Sequence, residues 1–324
     1  MTDTNPVKTG LMICGHGSRD DGAVEQFNLL AGHLKKRFPD YDVESGFLEF
    51  ATPVIRTGLD KLKERGCKRI LCVPGMLFAA GHVKNDLPSE INNFAAESPG
   101  LDVRFGRDLA IDRRLLEAAK TRIEEAEKKS DQSISRADTL LMVVGRGTND
   151  PDANSNVHKV ARMLWEGMGF GWTEVSYSGV AYPLVDEGLK KAVRLGYKRI
   201  IVFPYFLFTG ILVNRIYAWA DEAAAAHPDI EFLKAEYLRD HENVLDVFVE
   251  RVNEMLTGDN TMNCGLCKYR EQIIGYENDV GTPQVGHHHH VMGVGTDGHG
   301  AHDLGVHGHH HHHHHHGPDS GDNG

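Results

Sequence analysis

The chain has 324 residues, a formal net charge of −11 and an apolar share of 40%. That length leaves room for two domains, and the composition is that of a soluble globular protein. The acid excess excludes nucleic acid as the main partner, because phosphate binding wants a basic surface. No apolar run approaches the roughly 20 residues that cross a bilayer, so no membrane association is expected. The opening Met-Thr-Asp-Thr-Asn-Pro-Val-Lys has no apolar core of a secretory signal, and a cytoplasmic protein is expected. The five cysteines are an odd number without a secretory leader, which argues against a disulfide framework.

In chain order, short apolar runs alternate with stretches of helical period, the pattern of βα units around a parallel sheet. Strands are predicted at about 10–14, 42–48, 69–73 and 102–105, with helices at about 21–37, 54–65, 84–96 and 112–128. Residues 129–138 are polar and read as a linker. A second series follows, with strands near 139–144, 173–179, 199–203 and 230–234 and helices near 154–166, 184–195, 211–225 and 241–256. The predicted fold class is therefore α/β, in two tandem domains at 8–128 and 139–256, each a small parallel sheet flanked by helices. Residues 257–324 carry little apolar content and are expected to be a disordered, His-rich tail.

The two series are copies. Gly15, Gly17 and Asp20 recur 130 residues on as Gly145, Gly147 and Asp150, and Lys68-Arg69-Ile70 recurs as Lys198-Arg199-Ile200. Near Ala79 and Ala80 the offset slips to 129, so that Gly81 and Asn85 match Gly210 and Asn214. Three residues of ligand type fall after predicted strands of the first copy: His16, Glu49 and His82. The second copy has Arg146, Gly179 and Ile211 there (Leu212 without the gap). The carboxyl ends of parallel strands are where open α/β sheets place their ligands. Two imidazoles and a carboxylate on that edge suit a divalent metal with open positions. Ser18 and Arg19, in the same turn as His16, can hold a carboxylate or phosphate.

Gly-His-Gly-Ser-Arg at 15–19, Phe-Leu-Glu-Phe-Ala-Thr-Pro at 47–53 and Phe-Ala-Ala-Gly-His-Val-Lys-Asn-Asp-Leu-Pro at 78–88 resemble the sirohydrochlorin chelatases, in particular the long two-domain cobaltochelatases of CbiX type. The likeness spans roughly 10–256 and extends to a Met-x-Cys-x-x-Cys and a His-rich tail. It implies insertion of Co²⁺ into sirohydrochlorin for cobalamin biosynthesis, with His16 and His82 binding the metal in a cleft between the domains and Glu49 beside them. Glu49 would accept or relay a proton or orient a ligand; either histidine is an alternative base. Sirohydrochlorin carries many carboxylates, so cations are expected around the cleft: Arg19, Lys84, Arg146 and Arg215 are the candidates, each equally well a solvated surface charge. Tyr205, Phe206 and Phe208 either line a flat apolar cavity or pack the core.

The resemblance also implies an iron–sulfur centre at Cys264 and Cys267. Two thiolates are too few for a cluster with four protein ligands. A second subunit, giving a homodimer, or non-protein ligands would have to complete it, and zinc or no metal are the alternatives. Two histidine tracts follow. The first comprises His287, His288, His289 and His290; the second comprises His309, His310, His311, His312, His313, His314, His315 and His316. An expression tag is one reading of the eight-residue run, but dispersed histidines precede it and Gly-Pro-Asp-Ser-Gly-Asp-Asn-Gly follows it, so the tracts read as a metal reservoir, imidazoles binding Co²⁺, Ni²⁺ and Zn²⁺ with little selectivity. The rival activities are insertion of Fe²⁺ or Ni²⁺ by the same fold. A metal-storage or delivery protein is a rival of another class, and it gives Glu49, His82 and the one-sided repeat no role.

Overall fold

The computed structural model describes residues 7–258 together with 278 and 280. Cys264, Cys267 and both histidine tracts lie outside the described residues.

The first half opens with β1 (Thr9–Gly15), seven residues that are all buried. A continuous apolar run of this kind suits a central parallel strand covered on both faces. Its side chains alternate: Leu11 and Ile13 enter one apolar layer, Met12 and Cys14 the other. Helix α1 (Asp21–Arg37) starts at Asp20, whose carboxylate accepts from the Ala23 amide at 3.0 Å, and ends with Lys35, Lys36 and Arg37 at the negative end of its dipole. Then come β2 (Asp42–Phe47), α2 (Ile55–Glu64), β3 (Arg69–Pro74), α3 (Leu87–Ala96), β4 (Asp102–Phe105) and α4 (Arg113–Glu127).

The second half repeats the series: β5 (Thr139–Gly145), α5 (Pro151–Met168), β6 (Trp172–Tyr177), α6 (Val185–Ala192), β7 (Arg199–Pro204), α7 (Ile211–Ala226), β8 (Glu231–Lys234) and α8 (Glu242–Thr257). Each half builds a four-stranded parallel sheet, ordered β2-β1-β3-β4 and β6-β5-β7-β8. The registers correspond, with Leu11 beside Val43 and Leu71 in one sheet and Leu141 beside Thr173 and Ile201 in the other. The chain is α/β with two helix-flanked parallel sheets, as the periodicity predicts.

Helix packing departs from the linear reading, which gives each half its own four helices. Helix α8 lies on the first sheet, against β3 and α1, and α4 lies on the second, against β7, β8 and α5. Met255 of α8 covers Gly106 after β4, and the Arg104 guanidinium donates to the Met255 carbonyl at 2.7 Å. Arg107 forks onto Glu254 with hydrogen bonds of 2.9 and 2.7 Å. Leu115, Ile123, Val244 and Phe248 accordingly share one apolar cluster with Ile13 and Val143, a core that spans both halves. The exchange has a simple physical reason. Each last helix ends beside the partner sheet, whose inner face would be bare without it.

The stretch read as a linker is also fastened. Arg199, 3% exposed, donates to Ser130 Oγ, the Gln132 carbonyl and the Ile134 carbonyl at 3.0, 2.8 and 3.1 Å. The one-residue slip between the copies has a structural form as well. Gly81 precedes a π-helical turn over His82–Asp86 that runs into α3, whereas Gly210 precedes a regular α7. An inserted residue in a helix is commonly absorbed as such a turn, frequently at functional sites.

Candidate metal centre

In a sheet ordered 2-1-3-4 the chain leaves β1 for one side and β3 for the other, and the loops that follow part to form a crevice. His16 follows β1, His82 follows β3, and Glu49 follows β2. The three converge: His16 Nε2 lies 3.0 Å from His82 Nε2 and 3.4 Å from Glu49 Oε1, and His82 Nε2 lies 4.0 Å from the same oxygen. Among the described residues these three form the group of His, Cys, Asp and Glu able to hold a metal ion.

Backbone constraints bring the loops this close. Gly17 has φ +96°, and a Cβ there would lie 1.6 Å from the Glu49 carbonyl oxygen. The Glu49 amide donates to the His16 carbonyl at 3.0 Å, and Leu48 donates to Gly15 at 2.9 Å. Phe50 is left at φ +63°, a strained conformation for a bulky residue, beside the carboxylate it helps present. The second half repeats the arrangement, with Gly147 at φ +83° against the Gly179 carbonyl, but offers no ligand.

Both imidazoles are oriented from behind. His16 Nδ1 lies 2.9 Å from the Gly17 carbonyl, and His82 Nδ1 lies 2.7 Å from Asp86 Oδ2. Both partners are acceptors, so each Nδ1 carries the proton and each Nε2 presents a lone pair. Two lone pairs facing at 3.0 Å repel unless a cation or proton lies between them. An ion about 2.0–2.1 Å from both nitrogens would be held at an N–metal–N angle of roughly 90°, with positions left open. Burial, with the positive charge of Arg146 and the neighbouring His82, pushes the His16 pKa down to about 4. His16 is therefore neutral at neutral pH, the form that binds metal.

Glu49 is buried, and beside it His16 and His82 line a cavity of about 510 Å³ between the halves. Its walls are mostly apolar, with Phe50, Phe78, Phe206, Phe208 and Leu212 among them, and Ser18, Arg19, Arg146, Thr148 and Asn154 supply polar groups. Arg19 stands over the Phe50 ring at 5.0 Å. Tyr205, Phe206 and Phe208 all line this cavity, and Tyr205 is at the same time buried against Phe78 and Phe203. Ser18 Oγ accepts from the Asp20 amide at 3.0 Å and so also shapes the turn.

Two expected cleft cations are elsewhere. Lys84 is 1% exposed and bonded to Asp150 and Asp152 at 2.9 and 3.0 Å, because the π-turn directs it into the contact between the halves. Arg215 is exposed on α7, over the Trp219 ring at 5.9 Å, and does not line the cavity. The sequence reading missed Asp86, which holds His82; its i, i+4 spacing from that histidine is the signal that marks it. It also missed Asn154, which clamps the Arg146 loop through bonds of 3.1 and 2.8 Å to the Thr148 backbone. Cys14, Cys67 and Cys72 are buried core residues.

Two similar α/β halves, with a His–His–Glu centre at the switch point of one and an apolar cavity over it, define a metal-handling protein of the chelatase class. A sequence model of the CbiX family matches residues 10–126 and 140–255, and the chain belongs to that family. It is 36% identical over 269 residues to the sirohydrochlorin cobaltochelatase of Priestia megaterium, covering 82% of this chain and 85% of that protein. It is 32% identical to a sirohydrochlorin ferrochelatase of the same organism, covering 76% and 90%. Its fold is similar to the sirohydrochlorin chelatase SirB of Bacillus subtilis subspecies spizizenii in complex with cobalt, at 26% identity and a TM-score of 0.65 over 78% of this chain and 96% of that one. SirB of Bacillus subtilis with Fe³⁺ gives 25% identity and 0.68 over 79% and 100%. Among the described residues no helix is long and apolar enough to cross a membrane.

Proposed function

We propose that this protein inserts Co²⁺ into sirohydrochlorin, a step of cobalamin biosynthesis, in the cytoplasm. The observation that carries the reading is the triad itself: two oriented Nε2 lone pairs on the wall of a mostly apolar cavity, with a buried carboxylate beside them. Kinship with the Priestia megaterium cobaltochelatase supports the metal and the macrocycle.

The chemistry requires a divalent ion held firmly enough to lose water and loosely enough to leave, and a base for two pyrrole protons. His16 and His82 supply two nitrogen ligands and leave the remaining positions to the macrocycle nitrogens. His16, lowered to about 4, is a weak base and serves as a ligand. Glu49, 6% exposed and within 4.0 Å of both imidazoles, is assigned the pyrrole protons one at a time, passing the first to water before it takes the second. Arg19 and Arg146 pair with substrate carboxylates from opposite halves, and the phenylalanines receive the flat ring. The same donor set serves Fe²⁺ or Ni²⁺, and ferrochelatases stand among the relatives, so the metals are compared in parallel. The histidine tracts are assigned the supply of metal to this centre, and Cys264 and Cys267 a metal of their own.

The test is an anaerobic insertion assay with Glu49→Gln. The variant should keep Co²⁺ affinity within a few-fold and lose insertion by about 10²–10⁴-fold, the usual contribution of a positioned base. Wild-type turnover in that variant would remove Glu49 from the proton path.

A further inference from the structure

Below the triad, a second charged cluster joins the two halves. Lys84 Nζ, from the π-turn, donates to Asp150 Oδ2 at 2.9 Å and Asp152 Oδ2 at 3.0 Å, both at the start of α5. All three are buried, at 1, 1 and 7% exposure. Burial works against the Lys84 charge, but hydrogen bonds to the two carboxylates and their charges hold its pKa above the ordinary lysine value. Burying three charges stabilises a fold poorly compared with apolar packing of similar volume. The chain itself illustrates the alternative: the position equivalent to Lys84 in the second half is Val213, also buried. There the opposite half is reached by a neutral hydrogen bond, from the Thr209 amide to Gln26 Oε1 at 2.9 Å. Of these two equivalent positions, the one beside the metal ligands carries the ionic contact.

What the cluster connects gives it a role. The turn that carries Lys84 begins with His82 and ends with Asp86, the carboxylate on His82 Nδ1. The loop that ends in Asp150 carries Arg146 on the opposite cavity wall. That loop is itself tied down by hydrogen bonds. Thr148 Oγ1 accepts from the Asp150 amide at 2.7 Å, and Asp150 Oδ1 accepts from the Asp152 amide at 3.0 Å, capping α5. The path from a metal ligand to the arginine across the cleft thus runs along the π-turn from His82 to Lys84, through its two ion pairs to Asp150 and Asp152, and back along the hydrogen-bonded loop to Arg146.

We infer that Lys84, Asp150 and Asp152 form a buried clasp of positioning residues that fixes the gap between the metal ligands and the Arg146 wall, and so couples metal occupancy on one wall to the order of the other. The inference deepens the chelatase reading and rests on it for the identity of the macrocycle. A misplacement of about 1 Å in such a gap costs on the order of 10²-fold in rate.

The test uses the full chain carrying Lys84→Met, Asp150→Asn and Asp152→Asn together, which removes the charges while keeping the volume and the α5 cap. Amide hydrogen exchange is read with and without Co²⁺ alone, and insertion kinetics are read with sirohydrochlorin. In the wild type, Co²⁺ should slow exchange at 146–150 as well as at 82–86. In the triple variant it should slow only 82–86, with the Co²⁺ absorption band retained and kcat about 10- to 100-fold lower at little change in KM. Lys84→Arg, which keeps the charge but lengthens the reach, is the second variant and should also lower kcat at near-wild-type Tm. The inference is overturned if Co²⁺ protects 146–150 equally in wild type and triple variant, if it protects that loop in neither, or if kcat is unchanged in whichever variant folds. The exchange arm uses Co²⁺ alone and judges the clasp whatever the acceptor is. Absence of insertion by the wild type would instead count against the chelatase reading.

Discussion

His82 owes its orientation to Asp86, a carboxylate four residues on that is fully buried and also accepts from the Asn85 amide group at 2.9 Å. Replacing it by Asn keeps an acceptor but removes the charge that makes the imidazole a better donor to metal. Asp86→Asn should weaken Co²⁺ binding about 10- to 100-fold by calorimetry, and unchanged affinity would contradict this account of the ligand. Asp108 bears on the same loop, accepting from the Ala79 amide at 2.7 Å while its other oxygen has no partner. Burial raises its pKa to about 6. The folded state thus holds this proton to higher pH than the unfolded chain does, and the residue costs stability as pH rises from about 4 to about 6. The stability of Asp108→Asn relative to wild type should therefore grow by roughly 3 kcal/mol between pH 3 and pH 7. A gap that does not change with pH would refute the assignment. At this scale the three residues that converge at the candidate centre were legible, because residue type and absence from the second copy mark them. The burial of Lys84 was not, since its carboxylates lie more than 60 residues away and a lysine in a helical stretch looks the same exposed or clasped.

Strands and helices were largely readable from period alone, because central parallel strands are unbroken apolar runs; the cap Asp150, however, starts its helix at Pro151 rather than near 154, a start the apolar period did not show. The slip in the repeat was visible in the letters, but not that the extra residue would be absorbed as a π-turn presenting His82. Turn geometry makes its own prediction. Gly17 combines φ +96° with a Cβ position inside the Glu49 carbonyl, so Gly17→Ala must part the β1 and β2 loops. It should lower stability by at least 1–3 kcal/mol in denaturant titration and abolish tight Co²⁺ binding together. Retention of either would show that the loops can separate without loss of the centre.

For the molecule as a whole, the exchange of α4 and α8 was beyond linear reading. The repeat alignment is indifferent to which sheet a helix covers, and only packing decides it. With each inner sheet face covered by the partner's last helix, neither 8–128 nor 139–256 should fold as a monomer when expressed alone. The full chain should unfold in one transition by calorimetry; two separated transitions would contradict the shared core. Deleting 287–316 should leave insertion intact at saturating Co²⁺ and slow it only when Co²⁺ is limiting, as expected of a reservoir that raises local concentration. The central claim is that the first half holds the metal while the second presents the macrocycle. It is tested most directly by anaerobic insertion into sirohydrochlorin with Co²⁺, Fe²⁺ and Ni²⁺ in parallel, for wild type, His16→Ala and His82→Ala. The account predicts Co²⁺ insertion by the wild type and its loss in both variants; wild-type rates in either variant, or no insertion of any metal by the wild type, would contradict it.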